Sequence, residues 1–113
     1  MIILIVATLV GDQSEKNAVV DTIRLGATNA TTNIVISSNN IPIRVTEVAI
    51  SGSNPINITI QLSRSVTNPQ KVQILGNVNS SLVSQGYSPN YNGVDTNIFL
   101  NTTKHNYSIS VSP

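Results

Sequence analysis

Ile56-Asn57-Ile58-Thr59-Ile60-Gln61-Leu62 alternates apolar and polar side chains without a break. A period of two puts the isoleucines and Leu62 on one face of a strand and Asn57, Thr59 and Gln61 on the other. The segment is bounded by Ser51-Gly-Ser-Asn-Pro55 before it and Ser63-Arg-Ser65 after it, so it reads as a strand with one buried and one wet face. Working outward, comparable runs recur about every 10 to 12 residues between Gly, Pro, Asn and Ser. Ala18–Leu25, Thr31–Ser37 and Ile41–Ile50 precede it. Lys71–Leu75, Ser81–Ser84, Asn97–Asn101 and His105–Ser112 follow, the last two as a hairpin across Thr102-Thr103-Lys104. In Ile41–Ile50 the inward set slips by one residue around Glu47, which predicts a bulge and leaves Glu47 on the outer face. Residues 85–96 form one long loop with Asn92-Gly93 as its turn.

The composition agrees with a β-rich chain. Ile, Val and Thr number 15, 13 and 11 of 113 residues, while Leu and Ala number 7 and 5. Stiff β-branched side chains suit a pleated sheet better than a helix. The expected fold is all-β: a two-sheet β-sandwich of about eight or nine strands, counting the N-terminal segment. A chain of this size holds one core, so residues 1–17 read as an apolar strand with a polar linker and residues 18–113 as the sandwich domain.

Charged residues are only 10% of the chain, against roughly 25% in ordinary soluble domains. Asn, Ser and Thr take their place, which favours an exposed outer surface, hence an extracellular or cell-surface location. The net charge of +1 and the scattered Lys and Arg leave no basic patch for nucleic acid. With no cysteine there is neither a disulfide framework nor a thiolate metal site.

The residue types of catalysis are sparse. His105 is the single histidine, and it reads as a surface residue. The carboxylates are Asp12, Glu15, Asp21, Glu47 and Asp95, of which Asp12 and Glu15 read as solvated members of the linker. No acid–base pair, activated nucleophile, metal cluster or phosphate loop assembles from these, so no enzyme, cofactor or small-molecule substrate is expected.

Two features do invite function. The first is the N-terminus, where Ile2, Ile3, Leu4, Ile5, Val6, Ala7, Thr8, Leu9 and Val10 form an almost continuous apolar run before Gly11-Asp12. It is about half the length of a bilayer core as a helix and lacks the basic flank and cleavage site of a signal peptide. It must be buried, either as a central strand of its own domain or against a neighbouring chain. The second is the set of Asn-x-Ser/Thr acceptor sequences at Asn29, Asn57, Asn79, Asn101 and Asn106. They are candidate glycosylation sites, although roughly three would arise by chance at this composition.

Residues 18–64 carry a further pattern. Ile23-Arg-Leu-Gly-Ala-Thr-Asn29 leads into Thr32-Asn-Ile-Val-Ile-Ser-Ser-Asn-Asn40 and then Ile41-Pro-Ile-Arg-Val-Thr-Glu-Val-Ala-Ile-Ser-Gly52. This resembles the immunoglobulin-like head domains of archaeal type IV pilins and related surface filaments, and Asn106–Pro113 resembles their final strand. The resemblance implies a filament subunit whose partners are copies of itself. The short β-branched terminus is similar to that of filaments whose subunits donate an N-terminal strand to a neighbour. A cell-envelope anchoring module or a viral coat protein is the other reading of the same surface.

Overall fold

The computed structural model describes the backbone of residues 2–38 and 42–112, and the side chains of residues 14–35 and 42–112. It overturns the all-β sandwich. The chain folds as an α/β unit of two helices on one face of a single five-stranded mixed sheet.

The first element, α1, runs from Ile2 to Ser38. It contains the apolar N-terminal run and both segments expected as strands at Ala18–Leu25 and Thr31–Ser37. Propensity argues against so many β-branched residues in a helix, but packing overrides it. Val19, Ile23, Gly26, Ala27, Ala30, Thr31 and Ile34 are buried, a spacing of three and four that lays one stripe along the helix. The threonines help: Thr22 Oγ1 donates to the Ala18 carbonyl at 2.8 Å and Thr32 Oγ1 to that of Thr28 at 2.9 Å. A threonine hydroxyl satisfied by the preceding turn sits in a helix without competing for a backbone partner elsewhere. No proline occurs before Pro42, so nothing breaks the ladder.

Strands β1 (Val45–Ser51) and β2 (Ile56–Leu62) form a hairpin turned at Gly52, whose φ is +74°. The register shifts between Val45 and Glu47, which is the expected bulge, and Glu47 is exposed beside it.

The second helix, α2 (Asn68–Ser84), replaces the strands expected at Lys71–Leu75 and Ser81–Ser84. Thr67 caps it: the Gln70 N–H donates to Thr67 Oγ1 at 3.3 Å, and the Thr67 N–H donates to Gln70 Oε1 at 2.9 Å. This reciprocal pair satisfies two otherwise orphaned donors. Buried Ile74, Leu75, Val78 and Leu82 follow at helical spacing. The helix stops at Gly86, φ +91°, with the Gly86 N–H bonded to the Val83 carbonyl and the Tyr87 N–H to that of Leu82. That is a Schellman turn, and it fixes where Tyr87 points.

The remaining strands are β3 (Pro89–Asn90), β4 (Asn97–Asn101) and β5 (Asn106–Ser112). The sheet order is β1-β2-β5-β4-β3, with β5 parallel to β2 and antiparallel to β4. The hairpin of β4 and β5 was expected, and along β5 Tyr107, Ile109 and Val111 share one face and are all buried. A rung of isoleucines crosses the sheet: Ile50 faces Ile58, Ile58 faces Ile109, and Ile109 faces Ile98. Helix α1 lies over β1 and β2 and helix α2 over β3 to β5. The other face of the sheet carries Asn57, Thr59, Phe99, Ser108 and Ser110 and has no covering layer among the described residues.

Candidate functional site

Two places in the fold concentrate what the sequence singles out. The first is the N-terminal part of α1. At about 1.5 Å per residue the helix is ~55 Å long, equal to the longest dimension of the molecule, 55 Å against 25 Å across. The buried stripe from Val19 to Ile34 covers roughly 22 Å of it. The candidate interface residues Ile2 to Val10 stand in the helical backbone, not in a donor strand. Their side chains lie outside the described residues. Gly11 to Asn17, expected as a linker, continues the same helix into the body.

The second place is a notch where α1 enters that body. Glu15 is half-buried rather than simply solvated. Its Oε2 accepts a hydrogen bond from the Tyr107 hydroxyl at 3.2 Å, and Tyr107 is only 1% exposed. The hydroxyl therefore anchors the foot of the helix to the first inward position of β5. His105 meets the Tyr107 ring edge-on, with centroids 6.1 Å apart and planes at 75°. Its ring is half-buried, contrary to the surface reading, and its Nε2 has no hydrogen-bond partner among the described residues. Thr102 shapes the turn before it: the Thr102 N–H donates to the His105 carbonyl at 2.9 Å, and Thr102 Oγ1 accepts from the Lys104 and His105 N–H groups.

Between these parts lies a notch of about 400 Å³, walled by Glu15, by the turn Gly86–Ser88 and by Asn101–Thr103. Among the described residues no lysine or arginine lines it. Tyr87, delivered by the Schellman turn, is its half-buried aromatic wall and also packs against the core. Sequence reasoning missed this site because its parts are far apart in the chain, although Thr67-x-x-Gln70 and Gly86 were legible signals for the helix that builds one wall.

The five acceptor asparagines fall in different settings. Asn29 is exposed on α1, and Asn79 is half-buried on α2. Asn57 is exposed on the open face of β2, Asn106 is the exposed first residue of β5, and Asn101 is the exposed last residue of β4. Among the described residues no group of three His, Asp or Glu side chains stands together. No described helix is long and apolar enough to cross a membrane. No protein-family model matches the chain, and no curated protein matches it.

Proposed function

We propose that this chain is a structural subunit of an extracellular filament, assembled from copies of itself through the apolar end of α1. The observation that supports the reading is the continuity of one helix. Its later part is built into a compact body, and its first nine residues after Met1 are almost wholly apolar in sequence. An apolar surface of that size finds a partner in water, since each buried apolar side chain contributes about 1.5–3 kcal/mol. Neighbouring helices of the same kind supply that partner, with ridges of one packed into grooves of the next. The neutral, hydroxyl-rich exterior suits a body facing the medium. Assembly by a donated strand is not part of this reading, because α1 is helical through Ile2–Val10.

The test is to replace Ile5 and Leu9 together with Lys. Electron microscopy of the unaltered chain is expected to reveal filaments, and the double variant is expected to remain a folded monomer by sedimentation and circular dichroism. Filaments that persist in the folded double variant would sink the proposal.

A further inference from the structure

We infer that the notch between Glu15, Tyr87 and Asn101 seats the first sugar of an N-linked glycan carried on Asn101; the inference rests on the chain being exported, as in the reading above. Two independent observations meet here. Of the five acceptor sequences, Asn101-Thr102-Thr103 is the one whose hydroxyl residue, Thr103, lies outside regular structure. Asn29 and Asn79 have helical neighbours, and the residues after Asn57 and Asn106 are committed to strands. An acceptor amide and its hydroxyl must be reached together, so a strand end running into a turn is the accessible case. Both Asn101 and Thr103 are exposed.

The same three residues, Asn101, Thr102 and Thr103, form one wall of the notch. Its remaining chemistry is that of a saccharide seat. The space, about 400 Å³, is an open surface notch, so a sugar would rest against its wall on one side. Tyr87 supplies an aromatic surface for the C–H face of a sugar ring. Glu15 supplies a carboxylate with one oxygen already held by Tyr107, leaving the other to accept from sugar hydroxyls. Ser88 adds a small hydroxyl, and among the described residues no cationic side chain lines the space.

Attachment requires a sugar donor activated as a lipid-linked phosphate. The Asn101 amide nitrogen forms a bond to the anomeric carbon as the carbon–oxygen bond to phosphate breaks. The phosphate leaves with that electron pair, and the amide proton passes to a base of the transferring enzyme.

The experiment uses the protein purified from the cells that make it. Glycopeptide mass spectrometry is expected to find Asn101 modified. Thr103→Ala, which abolishes the acceptor without touching Asn101, should lower the thermal midpoint by a few degrees. In a Tyr87→Ala background the same change should do almost nothing, because the sugar has already lost its seat. A bare Asn101 beside other occupied acceptors overturns the inference and leaves the filament reading standing. A chain with no acceptor occupied overturns it as well, and micrographs of the native material then decide the filament reading separately. An occupied Asn101 whose removal lowers the midpoint equally in both backgrounds refutes the seat.

Discussion

The crossing of α1 over α2 and the isoleucine rung of the sheet solve the same packing problem in opposite ways. At the crossing the buried stripe of α1 narrows to Gly26 and Ala27, with Ala30 one turn on. A methyl group built on Gly26 would stand 2.8 Å from Ser81 Oγ, 2.9 Å from the Val78 Cα and 3.1 Å from the Asn77 carbonyl oxygen. The backbones there are as close as they can be. In the sheet the space is filled by Ile58, Ile98 and Ile109, each fully buried. One contact has no room for an added atom; the other depends on every atom it has. Position in the core does not tell which rule applies, but residue size does.

The largest effect expected from that contrast is in the rung. Ile58→Ala should destabilise the fold by roughly 2–5 kcal/mol, through lost transfer energy and the cavity left behind. Replacing Asn57, on the other face of the same strand, should change stability by less than about 0.5 kcal/mol. Urea unfolding of both variants measures the ratio, and comparable losses would break the face assignment.

At the crossing the dangerous change is an addition. Gly26→Ala should destabilise by about 1–3 kcal/mol, even though alanine is the better helix former by about 1 kcal/mol. Gly76, in α2, has no atom among the described residues, its own helix backbone aside, within 4 Å of the position a methyl would take. There the same substitution should stabilise by roughly 0.5–1 kcal/mol. If the two glycines responded alike in denaturant titrations, the helices would not approach as closely as described.

The smallest effect is electrostatic and belongs to neither contact, since neither contains an ionisable side chain. Tyr91, in the loop before β4, donates its hydroxyl to the Val72 carbonyl at 3.2 Å. Burial first, and the Asp95 carboxylate second, push its pKa above the ordinary 10.0. Above that ordinary value the unfolded chain loses the proton while the folded chain keeps it. The contribution is therefore complete below about pH 10 and falls away as pH rises through the folded value. Tyr91→Phe should flatten the alkaline limb of the stability–pH curve and lower the neutral plateau by no more than the one hydrogen bond it removes. An unaltered alkaline limb would remove Tyr91 from the account.

The sheet was legible wherever one face is wet. Ile56–Leu62, Asn97–Asn101, Tyr107–Val111 and the bulge at Glu47 all betray themselves by alternation. The helices were hidden by their residue types. Val19, Ile23, Ala27, Ala30 and Ile34 repeat at helical spacing, yet the threonines and valines between them imitate strands. Only the packed partner, α2, decides in favour of the helix, and that partner is not visible in α1's own sequence. For α2 the capping box and Gly86 were local signals and outweigh the single β-branched residues around them. The notch was not legible at all, because Glu15 and Tyr107 are brought together only by the docking of α1 on the completed sheet.

The position of β5 carries a consequence for the order of events in the cell. It pairs with β2 on one side and β4 on the other, yet it follows every other element in the chain. Until Asn106–Ser112 leaves the ribosome, the nascent chain holds a β1–β2 hairpin and a β3–β4 fragment with nothing between them. Both expose strand edges able to pair with the wrong chain. The sheet therefore closes from its middle, and a change that delays β5 lengthens the time those edges stay open.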